Sequence, residues 1–415
     1  MRIAVLGAGL AGVTSAWCLA KDGHEVILLE KAARIADAAS GANGGIVSAS
    51  RAFPWPSPQM LKTFLKALVR NDQSVRVYPM RWDPEFWAWG LRFLGCCSAG
   101  QYAALLERKV RYVRYSQEQL GRIAAESGVS FHRKQGGVMY LYRSEAALEA
   151  GVRKVAPMKA FGFPFRVLDN AEAVRIDPGL ANAPLAGAVF SESDESGDSA
   201  MFCRELAKAC EAMGTKISLG CEVTGIATEG DRVTAIDTST GRIEVDGAVA
   251  ALGVIDPKLK RQLGADLPIY PVKGCSVTIP IVEPALAPQH AGMDESKLAA
   301  YCPMGNRLRL TGGAEFAGYG REYRPGESAR LLALADELFP GATDVRRAEA
   351  RACLRPMTPQ STPLFGTGRY RNLWFNVGLG HMGWTMASGG ARITADLVAG
   401  RPPGIRLDGL LVGAA

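Results

Sequence analysis

The stretch RACLRPMTPQSTPLFG, residues 351–366, places Arg355 between a leucine and a proline in a mostly apolar setting. Two more prolines follow at positions 359 and 363. Because proline cannot extend a helix or sit in the middle of a sheet, the stretch predicts a stiff, irregular segment that holds a cation. A guanidinium binds a carboxylate through two parallel hydrogen bonds. The stretch alone leaves open what Arg355 is held against, and an internal acid such as Glu315 is one alternative.

The first thirty residues carry a second pattern with chemical meaning. Residues 2–30 read as an apolar strand, a helix and a second apolar strand, with Gly7, Gly9 and Gly12 in the first turn. Glu30 ends the second strand. This spacing is typical of a dinucleotide site, in which the glycines let a pyrophosphate approach the helix N-terminus. Glu30 would accept hydrogen bonds from ribose hydroxyls and would disfavour the 2′-phosphate of NADP; a βαβ turn without a nucleotide is the alternative.

A glycine-rich loop follows the second strand. The segment DAASGANGGIVSAS, residues 37–50, offers hydrogen-bonding groups at Ser40, Asn43, Gly44 and Gly45. Small and flexible residues in this position indicate a loop that wraps a bulky, flat ligand. An ordinary surface loop is the alternative.

The identity of the dinucleotide depends on the later segments. The short strands of 216–253 form a meander of the kind that is common where the ligand is FAD. The closing segment NVGLGHMGWTMASGGA places glycines before a helix, where backbone N–H groups favour an electron-rich carbonyl. The other residues predicted to contact the cofactor are Leu10, Ala11, Lys31, Val223, Gly253, Gly380, His381, Met382, Gly383, Trp384 and Thr385.

Composition excludes several classes of protein. The 415 residues are 48% hydrophobic and 21% charged, with a net charge of +7 and no long Lys/Arg run, so we expect no nucleic-acid partner. The nine cysteines are irregularly spaced, without a CxxC, and no two of the four histidines are spaced as metal ligands. These counts predict a reducing compartment and no metal site. No run of 18 apolar residues is present, so we expect no spanning helix.

The order of the segments predicts two discontinuous domains. We assign 1–52, 145–262 and 341–415 to a cofactor domain, and 53–144 and 263–340 to a substrate or cap domain. Residues 53–97 hold four of the seven tryptophans, and residues 58–70 have one apolar and one basic helical face. That segment is interpreted as a packed insertion that covers the active site; the alternative is a membrane-surface helix. Long helices are predicted at 101–127 and 197–214.

Four motifs together resemble a known flavoprotein family. They are GAGLAG at 7–12, YPVKGCSVTIPI at 270–281, LRPMTPQSTPLFG at 354–366 and GWTMASGGA at 383–391. They look like the small subunit of bacterial D-amino acid dehydrogenases and, more broadly, the glycine oxidase, sarcosine oxidase and D-amino acid oxidase superfamily. The resemblance implies an α/β fold with a Rossmann-like FAD-binding domain of the glutathione-reductase type. It also implies a second, mixed-sheet substrate domain.

The resemblance also implies roles for individual residues. Arg355 would bind the carboxylate of the substrate. The other candidates for the substrate pocket are Tyr319, Glu315, His381 and Lys273, with Tyr301 as an alternative tyrosine. FAD would be bound non-covalently, while a covalent link to Cys353 is the alternative that the oxidases suggest.

The expected function is FAD-dependent oxidative deamination of D-amino acids, with cyclic ones such as D-proline included. Hydride would pass to flavin N5, and electrons would continue to a quinone or an electron-transfer protein. The alternatives are a glycine or sarcosine oxidase that uses O₂ and a non-catalytic subunit of a flavoprotein complex. The expected location is the cytoplasm, with peripheral association at the inner face of the cytoplasmic membrane left open, as is the oligomeric state.

Overall fold

The computed structural model of the protein describes residues 1–61, 75–77, 83–324 and 326–414. Its helices are α1 (Leu10–Lys21), α2 (Pro84–Gly95), α3 (Ala99–Ser127), α4 (Glu145–Val155), α5 (Asn170–Ile176), α6 (Ser199–Ala212), α7 (Pro257–Gln262), α8 (Ala329–Leu338) and α9 (Gly383–Val398). Its strands are β1 (Arg2–Leu6), β2 (Glu25–Glu30), β3 (Ile46–Val47), β4 (Val75–Val77), β5 (Val138–Tyr142), β6 (Arg166–Asp169), β7 (Gly187–Ser191), β8 (Glu195–Ser196), β9 (Lys216–Leu219), β10 (Val223–Glu229), β11 (Arg232–Thr238), β12 (Gly241–Glu244), β13 (Gly247–Ala250), β14 (Ala265–Asp266), β15 (Tyr270–Pro280), β16 (Gly292–Asp294), β17 (Ala299–Met304), β18 (Arg307–Phe316), β19 (Glu349–Met357), β20 (Leu364–Thr367), β21 (Leu373–Val377) and β22 (Gly413–Ala414).

A six-stranded sheet with the order β20-β21-β13-β1-β2-β9 holds the N-terminal motif. All its pairs are parallel except β20 with β21. In β1, Ile3 and Val5 face the core formed with α1, α6 and α9, whereas Ala4 and Leu6 face a second core on the other side. Both faces are buried, which explains why this strand is apolar along its whole length.

The second face of that sheet is covered by a meander. Strands β10, β11 and β12 form a three-stranded antiparallel sheet whose Val233 and Ile236 join the same core as Ala4. The meander takes the place that a second set of parallel strands and helices would have. This arrangement confirms the predicted Rossmann-like domain of the glutathione-reductase type.

The second large sheet has nine strands in mixed orientation, and it confirms the predicted mixed sheet. Its main path is β19-β15-β18-β17-β16-β5-β7-β6, and β4 pairs with β18. Strand β19 contains Arg355, so this part of the proline-rich stretch is a regular strand and the prediction of an irregular segment is wrong there. Pro356 is tolerated because β19 lies at the edge of the sheet, where a missing N–H costs no ladder bond. Residues 358–363 are irregular, as predicted, whereas Leu364 begins strand β20.

Two helices predicted from the sequence are confirmed as α3 and α6. Asp198 caps α6 by accepting hydrogen bonds from Ala200 N and Met201 N. The domain boundaries stay a prediction, although β6 and β7 join the nine-stranded sheet rather than the sheet of the cofactor domain to which 145–262 was assigned. Most of the amphipathic segment 58–70 lies outside the described residues. Within the described ranges, no helix combines the length and the apolar character needed to cross a membrane.

Candidate active site

One large cavity lies where the six-stranded sheet meets the nine-stranded sheet. Its volume is about 1420 Å³, larger than the about 300–1,000 Å³ that holds a drug-sized ligand. The segments that follow β1, β13 and β21 line it, as do residues of β18 and β19. Ligands bind at the carboxyl ends of parallel strands in sheets of this kind. The cavity therefore has room for a dinucleotide together with a small molecule.

The turn after β1 forms one end of this cavity. Gly7 has a φ of +98°, which residues with a side chain rarely adopt. Helix α1 then begins at Leu10, with Gly9 as its N-cap and no side-chain cap. Gly12 lies one turn further on, where an added Cβ would stand 1.7 Å from the carbonyl oxygen of Gly7. Gly12 therefore lets the helix approach the strand, while Gly7, Gly9 and Leu10 line the cavity.

Glu30 closes the same end of the cavity. Its two carboxylate oxygens accept hydrogen bonds from Ala8 N at 2.8 Å and from Ala32 N at 2.9 Å. These bonds hold the carboxylate at the cavity wall between the first turn and the end of β2. Lys31 beside it also lines the cavity and lies 3.9 Å from Glu222. The contacts agree with a carboxylate presented to a ribose.

The glycine-rich loop is fixed from several sides. Ser40 Oγ accepts a hydrogen bond from Leu10 N at 2.9 Å. The buried Arg309 donates to the carbonyl oxygens of Gly41 and Asn43 at 2.8 and 3.2 Å. Arg309 was missed in the sequence because it lies on β18 outside any motif. An added Cβ on Gly44 would meet Thr311 Oγ1 at 2.7 Å, so the loop lies flat against β18.

The turn before α9 forms the other end of the cavity. Gly380 has a φ of +59°, and Thr385 Oγ1 accepts a hydrogen bond from Ser48 N at 3.1 Å, which joins this turn to the glycine-rich loop. Helix α9 begins at Gly383 with no side-chain cap and no acidic residue in its first turn. Its first N–H groups are thus free to face an electron-rich group in the cavity.

Arg355 lies at this end, on the wall formed by β19. Its guanidinium passes over Gly274 on the neighbouring strand, where an added Cβ would stand 2.5 Å from Nη2. Nη1 donates to the carbonyl oxygen of Gly313. Within the described part of the chain, no carboxylate forms an ion pair with Arg355, and Glu315 pairs with Arg324 instead. The guanidinium is therefore held in the wall by a carbonyl oxygen, without a carboxylate partner among the described residues.

His381 and Cys353 are two further groups of the cavity wall. The ring of His381 stacks against Trp55, with centroids 5.0 Å apart and planes at 28°. Burial, then the charges of Lys109 and Arg355, lower the pKa of His381 well below its usual range, so the imidazole is neutral. Burial raises the pKa of the Cys353 thiol, although the charge of Arg355 opposes this.

Most of the predicted site residues line the same cavity. Those that do so are Gly7, Gly9, Leu10, Ala11, Glu30, Lys31, Ser40, Asn43, Gly44, Val223, Gly253, Arg355, Gly380, His381, Met382, Gly383 and Thr385. At Gly253 an added Cβ would meet no protein atom within 4 Å, so the protein itself does not require a glycine there. Space for a ligand explains that glycine better than packing does.

Two charged residues expected in the substrate pocket, Lys273 and Glu315, do not line the cavity. Lys273 is buried and its Nζ lies 2.6 Å from Glu327 Oε1. Glu315 is 8% exposed and accepts a hydrogen bond from Arg324 at 3.1 Å. Each has a partner of opposite charge, which removes the reason to expect it at a substrate.

Four further aromatic or glycine positions also face elsewhere. Tyr319 Oη donates to Glu85 at 2.5 Å, and burial followed by that contact raises the tyrosine's pKa. Tyr301 is fully buried in the core of the nine-stranded sheet. Trp384 points into the core beside α1 and α6, and an added Cβ on Gly45 would collide with Met304 and Cys302 of β17. These positions support the walls without touching the cavity.

Known proteins match this chain over its full length. Residues 2–397 match the family described as FAD dependent oxidoreductase. The chain belongs to that family. It is 42% identical to "D-amino acid dehydrogenase 2" of Mesorhizobium japonicum over 100% of both chains. It is also 42% identical to a D-amino acid dehydrogenase of Paramagnetospirillum magneticum, over 99% of this chain and 98% of the relative.

Solved structures agree on the fold. The chain superimposes on glycine oxidase from Geobacillus kaustophilus with a TM-score of 0.75, covering 99% of this chain and 98% of that chain at 23% identity. As a member of the FAD-dependent oxidoreductases, the protein uses FAD as its cofactor. The residues present fit that group, because the Gly7–Leu10 turn, the anchored Glu30, the open space at Gly253 and the uncapped start of α9 follow one continuous cavity.

Proposed function

We propose that this protein oxidises D-amino acids and that Arg355 binds the carboxylate of the substrate. The observation that carries the proposal is the guanidinium in the cavity wall, which has no carboxylate partner within the described residues. Every amino acid offers a carboxylate, and a guanidinium binds it through two parallel bonds. The names of the relatives that are 42% identical over nearly their whole length support the D-amino acid as substrate.

The residues of the cavity divide the work of the reaction. When bound, FAD supplies the two-electron acceptor for the hydride that leaves the substrate Cα. The adenosine end would be held by the Gly7–Leu10 turn and Glu30, and the flavin end by the loop around Gly44 and the start of α9. Arg355, aimed by the Gly313 carbonyl, fixes the substrate at its carboxylate. The neutral His381 adds no positive charge beside Arg355, and Arg355 carries the charge that we propose for recognition of the substrate.

Shielding from water is the other requirement of this chemistry. Trp55 and His381 form a stacked wall, and the buried Phe316 of β18 also lines the cavity. An apolar wall near Arg355 strengthens its attraction to a carboxylate, because the charges are poorly screened there. The substrate amine must be uncharged to lose hydride, and the resulting imine is hydrolysed in water to a 2-oxo acid and ammonia.

We propose that electrons leave the enzyme to a quinone or an electron-transfer protein rather than to O₂. The names of the relatives, which are dehydrogenases, support this choice. A quinone as acceptor would place the enzyme at the inner face of the cytoplasmic membrane as a peripheral protein. The choice is tested by measuring dye reduction and H₂O₂ release with the same D-amino acid. Peroxide in a stoichiometric amount would favour an amine oxidase instead.

The substitution Arg355→Lys tests the proposed substrate contact. We expect KM for D-amino acids to rise at least about 100-fold, because a lysine cannot form two parallel bonds to a carboxylate. The flavin band near about 450 nm should persist, since Arg355 is not expected to hold the cofactor. Arg346→Lys is the matched control, because that arginine is 87% exposed and pairs with Asp344. Loss of FAD with an unchanged KM would show that Arg355 is structural.

A further inference from the structure

Lys109 is a buried amine that neither the sequence motifs nor the proposed reaction uses. It lies on α3 and is 0% exposed. Lysine is almost never fully buried without a charged partner. Within the described residues Lys109 has no such partner, since its two hydrogen bonds go to a carbonyl oxygen and a hydroxyl. Burial of an amine without a charged partner costs stability, so the position of Lys109 calls for an explanation.

The two hydrogen bonds of Lys109 join distant segments at the cavity. Nζ donates to the carbonyl oxygen of Phe53 at 3.0 Å and to Ser361 Oγ at 3.2 Å. Phe53 lines the cavity and precedes Trp55 by two residues. Ser361 lies in the turn that follows the strand of Arg355, and its φ of +61° shows that the turn is tightly constrained. One amine thus connects the segment before Trp55 with the segment after Arg355.

The same amine lies close enough to His381 for its charge to act there. Its charge is the largest electrostatic influence on the pKa of His381 and lowers it, and the charge of Arg355 acts in the same direction. Trp55 covers the His381 ring as a stacked partner. Both residues line the cavity. Lys109 therefore stands behind a contact that forms part of the wall near Arg355.

We propose that Lys109 is a positioning residue of the active site, which fixes the Phe53–Trp55 segment against the turn at Ser361 and so holds Trp55 on His381. Trp55 lies in an irregular stretch of the chain, so the contacts of Lys109 add a restraint to its packing against the cluster that includes Phe86 and Trp89. A shifted Trp55 would leave the wall incomplete and the substrate less well oriented. The kinetic part of this proposal rests on the proposed amino-acid oxidation, whereas the structural part does not.

The test uses Lys109→Met in the FAD-loaded protein with [¹³C]histidine. The chain has only four histidines, so the Cε1–H signals can be resolved, and His381→Asn assigns the relevant one. In Lys109→Met we expect the His381 signal to lose the ring-current shift of Trp55 and to titrate at a higher pH. We also expect kcat/KM for a D-amino acid to fall about 10-fold, with the flavin content unchanged.

Two further variants keep the test decisive. Arg122→Met removes an exposed cation from the same helix and should leave the His381 signal and kcat/KM as in the wild type. Ser361→Gly removes one of the two acceptors and suits the positive φ, so it should fold and move the His381 signal in the same direction by less. If the His381 signal stays at its wild-type position in folded Lys109→Met or Ser361→Gly, the proposal is overturned. If the His381 signal shifts in Lys109→Met but the wild-type protein oxidises no D-amino acid, the positioning role is supported and the proposed function is overturned.

Discussion

The two ends of the cavity are built in different ways. The end that we propose to hold the adenosine, called the adenosine end, consists of the turn at Gly7–Leu10, Glu30 and Ser40, which lie within about forty residues and are joined mainly by hydrogen bonds of backbone N–H groups. The reacting end brings together Trp55, Lys109, Arg355 and His381, which are far apart in the chain. At the first end both carboxylate oxygens of Glu30 accept hydrogen bonds from backbone N–H groups. At the second end the cations have no carboxylate partners within the described residues.

This difference agrees with the two ligands that we propose for the two ends. A dinucleotide has the same shape in every enzyme that binds it, so a local turn with fixed glycines is sufficient. A substrate must be caught by its charge and then oriented, which needs a cation whose charge is not already neutralised. Such a cation is stable in an apolar wall only if neighbouring strands and helices hold it in place. The reacting end therefore depends on contacts between segments that are distant in the sequence.

The largest effect is expected from a substitution at the adenosine end. In Gly12→Ala the new Cβ would stand 1.7 Å from the carbonyl oxygen of Gly7, and neither backbone can move without separating α1 from β1. We expect a loss of about 3 kcal/mol or more in the free energy of unfolding and a protein purified almost without flavin. The ratio of flavin to protein absorbance and a urea unfolding curve measure both.

Gly100→Ala is the control for this substitution. Gly100 lies at the start of α3, and an added Cβ there would meet no atom within 4 Å. The control should keep its flavin and gain a few tenths of a kcal/mol, up to about 1 kcal/mol. Normal flavin content in Gly12→Ala would mean that the cofactor still binds when α1 is displaced from β1. The adenosine end would then depend less on its fixed local turn than the geometry indicates.

The sequence predicted the adenosine end better than the reacting end for a physical reason. The turn glycines, the apolar strands and the capped helix α6 each depend on neighbours within a few residues, and the structure confirms them. The pairing of cations does not depend on neighbours in sequence. Lys273 and Arg355 lie on adjacent strands, yet only Lys273 has an acid, Glu327, supplied by a segment more than fifty residues away.

The same limitation applies to the residues that support the site. Arg309 holds the glycine-rich loop through two carbonyl oxygens, and no spacing in β18 distinguishes it from an ordinary strand arginine. Lys109 reads as one more polar residue of a long helix. Pro356 suggested an irregular segment because its position at a sheet edge cannot be known without the strand order. The resemblance to a known family supplied the role of Arg355, which the pattern alone left open.

A smaller effect is expected from Gly274→Ala at the reacting end. The added Cβ would lie 2.5 Å from Nη2 of Arg355, so the flexible guanidinium must move while the strand stays in place. We expect KM for D-amino acids to rise about 10- to 100-fold, because the carboxylate contact is displaced. Flavin content should be unchanged. An unchanged KM would show that Arg355 binds the substrate in another position, or does not bind it.

The smallest effect is expected from the charge of Lys109 at the reacting end, and it appears as a dependence of protein stability on pH. Burial lowers the pKa of Lys109 to about 7, whereas an unfolded lysine has a pKa of about 10.4. Between these values the unfolded chain binds a proton that the folded protein has released, so the free energy of unfolding rises with pH. The slope from this residue is at most about 1.4 kcal/mol per pH unit.

The measurement is urea unfolding of the wild type and Lys109→Met at pH 7, 8 and 9. The free energy of unfolding of the wild type should rise with pH relative to that of the variant. The free energy of unfolding of Arg122→Met should change with pH in the same way as that of the wild type. If the free energy of unfolding of Lys109→Met also changed with pH as in the wild type, Lys109 would keep its proton when buried. The reacting end would then hold a permanent positive charge behind His381.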